Sequence, residues 1–221
     1  ETVSFETNTF LQQRERIWHS TFIPDRQGDA VLGFHVMSQD ITAQKRLEQS
    51  LTNKASCDAL TGLPNRSALL ERLDRAAARA NQLQSSFAVL FLDLDGFKAI
   101  NDRYGHDGGD MILKTFAERL KLCVRETDMV ARLAGDEFVI LLEVLKNGRS
   151  DAQHIAQKIL RIMQEPLTLS GNICQLTTSI GIHIAAPGPI VGAEYLLKRA
   201  DEAMYDAKRA GKSRIAFALA S

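Results

Sequence analysis

Six consecutive apolar residues, Phe87-Ala88-Val89-Leu90-Phe91-Leu92, end abruptly in Asp93-Leu94-Asp95. A run of that length predicts a strand buried on both faces. Val130 to Leu133 and Phe138 to Val144 flank the turn Ala134-Gly135 and two carboxylates, Asp136 and Glu137, a pattern that predicts a β-hairpin with acid at its tip. Helical spacing of Leu69, Leu70, Leu73, Ala76, Ala77 and Ala80 predicts an amphipathic helix over 65–84, with Asn65 as N-cap. A short helix begins at Phe97, is interrupted by Tyr104-Gly105-His106-Asp107-Gly108-Gly109-Asp110, and helical periodicity returns over 111–124. Ser150 or Asp151 is placed to cap a helix reaching Gln164. A strand over 175–185 follows, in which Gly181 marks a bulge or a close backbone approach, then a helix over 194–210 and a final strand over 214–218.

Upstream, 17–23 and 31–38 are strand-like around a turn at 25–29 and predict a second hairpin. Residues 43–57 are polar and helix-prone, with Leu47, Leu51 and Ala55 on one face. The order βααββαβ after this linker predicts an α/β sandwich in which an antiparallel hairpin lies inside a mixed sheet surrounded by helices.

Length permits one sizeable core plus an appendage: 221 residues, 45% hydrophobic. Lys plus Arg and Asp plus Glu both number 27, so no global charge argues for a nucleic-acid polymer or a membrane surface, and any anion site is local. Cys57, Cys123 and Cys174 have no metal-ligand spacing and suit a reducing cytoplasm. No run approaches the roughly 20 apolar residues of a membrane span, and no signal-peptide pattern opens the chain. A start at Glu1 without Met suggests a fragment, whose full-length protein is open to a membrane anchor or further domains.

The candidate chemistry lies at two acidic strand ends. Side chains alternate along a strand, so Asp93 and Asp95 share a face. Asp93, Asp136 and Glu137 at the two strand ends predict a hard oxygen cluster suited to Mg²⁺, which takes one or two carboxylates and completes its shell with water and phosphate. Such a site points to phosphoryl or nucleotidyl transfer. Gly108-Gly109 lacks the Gly-Lys-Ser/Thr continuation of a P-loop, which excludes that class.

Four stretches together resemble the GGDEF family, the diguanylate cyclases: Asp58-Ala59-Leu60-Thr61-Gly62-Leu63-Pro64-Asn65-Arg66, Phe91 to Asp102, Ala134-Gly135-Asp136-Glu137-Phe138, and Tyr205-Asp206-Ala207-Lys208 with Gly211. They span residues 55–220 in the family's order. Gln39-Asp40-Ile41-Thr42 resembles the exit of a PAS sensor domain. The resemblance implies a PAS C-terminal fragment over 1–42, a signalling helix over 43–57 and a nucleotidyl-cyclase-like α/β domain over 58–221.

It further implies that two GTP are joined into cyclic di-GMP and pyrophosphate by a homodimer with Mg²⁺ or Mn²⁺. Asp93, the Leu94 carbonyl, Asp136 and Glu137 match the metal ligands, with the proton acceptor left open between Asp136 and Glu137. Asn101 and Asp110 match guanine-reading positions, and His106 and Gly135 substrate-contacting ones. Lys98, Lys208 and Lys212 match phosphate ligands, Lys212 standing where Arg is more usual. Arg125 and Asp128 match an inhibitory product site. Ala134 replaces the family's first Gly, and if that position needs a positive φ its Cβ costs roughly 1 to 2 kcal/mol. The rival implication is a weak or inactive module that binds GTP or cyclic di-GMP and regulates a neighbouring domain, such as a phosphodiesterase.

Overall fold

The computed structural model describes residues 2–11, 14–28, 30–45, 56–169, 171–188 and 191–219, and the chain divides into two compact units, Glu1–Ala55 and Ser56–Ser221. In the first, β1 (Val3–Leu11), β2 (Arg14–Gln27) and β3 (Ala30–Asp40) form an antiparallel meander in that order. The predicted hairpin is β2–β3, longer than its apolar runs suggest, and β1 adds a strand that the sequence reading did not assign. Phe5 stacks on Phe22 with ring centroids 5.3 Å apart. Asp40 closes the meander: its Oδ1 accepts from the Thr42 backbone N–H at 2.9 Å and the Thr42 hydroxyl at 2.5 Å. Residues 42–45 turn helical there. Leu47, Leu51 and Ala55 of the expected linker helix lie outside the described residues.

The second unit is an α/β sandwich. In chain order it contains α1 (Arg66–Leu83), β4 (Ser86–Leu94), α2 (Phe97–Lys121), β5 (Met129–Ala134), β6 (Glu137–Leu145), α3 (Arg149–Met163), β7 (Leu167–Leu169), β8 (Asn172–Cys174), β9 (Thr178–Ala185), α4 (Ala193–Arg209) and β10 (Ile215–Phe217). The sheet order is β10-β9-β4-β6-β5; β4 runs antiparallel to β6 and β9, while β10 is parallel to β9. The hairpin β5–β6 therefore joins the sheet through β6 and leaves β5 as its edge.

The buried run of β4 divides between two cores because its side chains alternate. Ala88, Leu90, Leu92 and Leu94 pack with Ile112, Phe116, Ile159 and Met163 of α2 and α3. Phe87, Val89 and Phe91 pack with Leu69, Leu73, Leu196 and Met204 of α1 and α4. Each such side chain contributes about 1.5–3 kcal/mol of transfer free energy, so the strand carrying the acidic end is anchored from both sides. Gly181 is a close approach: a Cβ there would fall 2.0 Å from the Ala200 carbonyl oxygen and 2.1 Å from the Met204 nitrogen. That contact lets α4 lie against β9.

Local capping differs from expectation at α3. Asn65 does cap α1, accepting from the Ala68 N–H at 3.2 Å. At α3, however, Gly148 occupies the N-cap, and Asp151 Oδ2 instead accepts from the backbone N–H groups of Lys146 and Asn147 at 2.8 and 2.9 Å. Among the described residues no helix is long and apolar enough to cross a membrane.

Candidate active site

The two acidic strand ends meet. Asp93 and Glu137 are register partners across β4 and β6, and the Leu94 N–H approaches the Asp136 carbonyl oxygen at 3.4 Å. Like charges facing each other across a ladder are destabilising, so this end of the sheet works against its own folding. Asp93 is only 8% exposed, and its Oδ2 lies 2.6 Å from the Lys208 ammonium on α4. Burial pushes the Asp93 carboxyl above the usual range; the Lys208 contact pulls it down, while Asp136 and Asp95 push it up. Glu137 is raised first by burial, then by Asp201, Asp93 and Asp136, against the pull of Lys208.

The hairpin tip is held from behind by Arg132, which sequence reasoning had passed over. Its Nε and Nη2 donate to the Gly135 carbonyl at 3.0 and 2.8 Å, and its Nη1 donates to Asp58 Oδ1 at 2.9 Å. Asp58 also accepts from the Thr61 N–H and hydroxyl at 2.9 and 2.6 Å. The Asp58–Arg66 motif thus forms a turn whose carboxylate braces the guanidinium behind Gly135. Gly135 supplies the positive φ, +50°, whereas Ala134 ends β5 opposite Glu137 and is not among the positive-φ residues. The extra Cβ of Ala134 therefore falls where the backbone tolerates it.

Helix α2 carries Lys98, Asn101, His106 and Asp110. Its interruption is confined to Gly105, at φ +72° and ψ +176°, with helix on both sides. Gly108 and Gly109 are buried and helical rather than a loop. A Cβ on Gly109 would fall 1.9 Å from Asn101 Oδ1, so the missing side chain is the space the Asn101 amide occupies. Asn101 thereby lies against the backbone beside Asp110. Lys98, His106 and Asp110 are exposed, as is Lys212 in the loop after α4.

Arg125 and Asp128 sit elsewhere, at the opposite end of β5–β6. Asp128 Oδ2 accepts from the Arg125 backbone N–H at 3.1 Å and Oδ1 from the Glu143 N–H at 3.3 Å, so the carboxylate orders the turn rather than pairing with the guanidinium. Both residues line a cavity of about 290 Å³ with Ser150, Asp151 and His154.

Among the described residues no group of three or more His, Cys, Asp or Glu side chains forms a metal cage. A cage is not what Mg²⁺ requires, since one or two protein carboxylates with substrate phosphates suffice. The destabilised carboxyls of Asp93 and Glu137, with one ammonium among several acids, fit a divalent cation by charge and by donor chemistry.

The model of the family described as "Diguanylate cyclase, GGDEF domain" matches residues 55–214. The chain belongs to the GGDEF family. Diguanylate cyclase TpbB of Pseudomonas aeruginosa is 46% identical over 170 residues, 75% of this chain and 39% of that protein. The bifunctional diguanylate cyclase/cyclic di-GMP phosphodiesterase MucR of the same species is 42% identical over 176 residues, 80% of this chain and 25% of its own length. This chain spans well under half of either relative. The solved GGDEF domain of TpbB superposes with a TM-score of 0.70 at 44% identity, covering 74% of this chain and 94% of that one. The coiled coil and GGDEF domain of DgcB from Caulobacter crescentus, in complex with cyclic di-GMP, gives 0.71 at 26% identity, over 80% and 93%.

Proposed function

We propose that the Ser56–Ser221 unit is a diguanylate cyclase domain that condenses two GTP into cyclic di-GMP. The observation that carries this reading is the convergence of the β4 end with the β5–β6 tip around Lys208. In each half-reaction a 3′-hydroxyl oxygen bonds to the α-phosphorus of the other GTP, the bond from that phosphorus to the β-phosphate bridge breaks, and pyrophosphate leaves. One GTP per domain makes two copies face to face the reacting unit.

Asp93, the Leu94 carbonyl, Asp136 and Glu137 would hold Mg²⁺ or Mn²⁺, which neutralises triphosphate charge when bound. Either Asp136 or Glu137, whichever carboxylate oxygen stays off the cation, takes the hydroxyl proton. Asn101 offers its amide to guanine O6 through the N–H and Asp110 its carboxylate to N1 and N2 donors. Lys98, Lys208 and Lys212 supply cationic contacts to the phosphates, and Gly135 allows the backbone to approach them. His106, exposed on α2, is assigned a further substrate contact.

Product inhibition is assigned to Arg125 and Asp128, whose guanidinium fork suits guanine or phosphate. Separation of this turn from the tip by the length of the hairpin supports a regulatory rather than a catalytic role. Upstream, the meander with its Asp40–Thr42 close is read as the end of a PAS sensor over 1–42, joined through 43–57. A GTP-consuming domain of this kind works in the cytoplasm.

The regulator reading has its own support: the cyclic di-GMP phosphodiesterase NbdA of P. aeruginosa is 38% identical over 168 residues. Incubation of the chain with GTP and Mg²⁺, followed by chromatography, decides between them. Cyclic di-GMP and pyrophosphate are the expected products; GTP bound but recovered intact at high protein concentration favours the regulator.

A further inference from the structure

Asp95 follows the candidate metal ligands by one residue, yet both of its oxygens are already engaged away from them. Oδ1 accepts from the Ser179 hydroxyl of β9 at 2.7 Å, and Oδ2 accepts from the Ser213 backbone N–H at 3.0 Å. Its own N–H donates to the Thr177 carbonyl at 2.9 Å. Asp95 is therefore a tie between the start of β9 and the loop after α4, which β9 next meets one residue further on, where the Ile180 N–H donates to the Arg214 carbonyl at 2.9 Å and β10 begins its pairing.

That loop needs a tie. Lys212 and Ser213 are consecutive non-glycine residues at φ +62° and +46°. Residues with a Cβ adopt this region at a cost, and a pair of them persists only where surrounding contacts over-determine the backbone. The contacts here are the Lys212 N–H to the Ala207 carbonyl at 3.1 Å, the Arg214 Nε to the Lys212 carbonyl at 3.1 Å, and the Ser213 N–H to Asp95. The first two hold Lys212 to its own helix and its own loop. Only the third, of these, connects it to the strand end that bears Asp93.

We propose that Asp95 is a positioning residue for the substrate triphosphate, holding the left-handed Lys212–Ser213 pair so that the Lys212 ammonium is presented at a fixed place relative to Lys208 and Asp93. This rests on the reading of Lys212 as a phosphate ligand. Lys208 is fixed by its own contact with Asp93; Lys212, four residues on and outside the helix, has no ion pair among the described residues and depends on the carboxylate two residues beyond Asp93. The device places two phosphate cations from one helix end under the control of one strand end.

The test is a double-mutant cycle on the intact chain. Asp95→Ala removes the acceptors of both the Ser179 hydroxyl and the Ser213 N–H. It is expected to speed hydrogen exchange at the Ser213 amide and to weaken binding of a non-hydrolysable GTP analogue with Mg²⁺ by about tenfold, while the chain still unfolds in one cooperative transition. Lys212→Ala is expected to weaken binding by a similar factor, and the double variant no further than Lys212→Ala alone. Additive losses would overturn the proposal, because Asp95 would then act without Lys212. An unchanged Ser213 exchange rate in Asp95→Ala would refute the tie itself, whereas Lys212→Ala with unaltered affinity would remove the phosphate-ligand reading beneath it.

Discussion

Glu143 and Asp93 lie at opposite ends of the same sheet face, the one covered by α1 and α4, and they are almost equally buried, at 7% and 8% exposure. Their surroundings differ in sign. Glu143 is held by two guanidiniums from α1, with Arg72 Nε on Oε1 and Arg79 Nη1 3.3 Å from Oε2. Asp93 has one ammonium, Lys208, and faces Glu137 directly while Asp136 and Asp95 add like charge. The Glu143 end has more cation than it needs and is closed. The acidic end has less, an imbalance that the proposed divalent ion would offset. Burial of a carboxylate alone does not distinguish structure from function; the balance of charge around it does.

The largest expected effect separates the two ends. Asp93→Asn should lower cyclic di-GMP formation on the order of 10² to 10³-fold, the scale of removing an electrostatic contact to developing charge, while the melting temperature stays at or above that of the unmodified chain. The sign follows from the raised Asp93 pKa: folding disfavours its ionised form, so a neutral isostere relieves a cost even as the Lys208 contact is lost. Glu143→Gln should do the reverse. It leaves two guanidiniums over a neutral amide and is expected to cost about 2 kcal/mol, less than the 3–5 kcal/mol of a fully buried broken pair because both arginines are part-exposed. For a domain of this size that is a drop of about 4–8 °C, with activity per folded molecule retained. A calorimetric scan beside a turnover assay reads both, and loss of stability in Asp93→Asn with activity intact would invert the comparison.

How much of this contrast the sequence carries depends on the range of the interaction. β4 and the hairpin tip are legible because a run of apolar residues ending in Asp is a local pattern, and the same holds for the Asn65 cap and the close packing at Gly181. β7 and β8 escape periodicity because each has three residues. The ties that set the site are harder still. Arg132 reaches Asp58 across 74 positions and Ser213 reaches Asp95 across 118. Charge pairs at such separations leave no spacing to read, and the Glu143 pairs, likewise distant, were invisible for the same reason. Asp151 misled differently: an acid near a helix start reads as a cap, but the positive φ of Gly148 turns the preceding backbone so that its N–H groups meet the carboxylate instead.

A third carboxylate sharpens the comparison at smaller scale. Burial pushes Asp58 upward, but the Thr61 hydroxyl, the Arg132 guanidinium and the Thr61 N–H outweigh it and hold its pKa below the ordinary value. A depressed acid contributes stability that is fully present above its unfolded pKa, near 4, and is lost as pH falls through the folded value. The intact chain should therefore lose an increment below about pH 4 that Asp58→Asn lacks, on the order of 1 kcal/mol for this part-buried, hydrogen-bonded pair. Urea titrations from pH 6 to pH 3 measure it. Parallel acid limbs in the two proteins would show that the Arg132 brace is held by Thr61 and packing rather than by charge.

The smallest effect belongs to Ala134. A site that depended on glycine at this position would gain activity on Ala134→Gly, whereas the present geometry places Ala134 at the exposed end of β5 and the positive φ on Gly135. Glycine there adds unfolded-state entropy without relieving strain, so stability should fall by about 0.5–1 kcal/mol and turnover should stay within about twofold. The reciprocal change isolates the true requirement. Gly135→Ala puts a Cβ at φ +50° and shifts the carbonyl that Arg132 holds, so its loss of turnover should exceed that of Ala134→Gly in either direction. Equal effects from the two substitutions would mean that the tip responds to backbone freedom in general and that the Arg132–Gly135 contact does not set its shape.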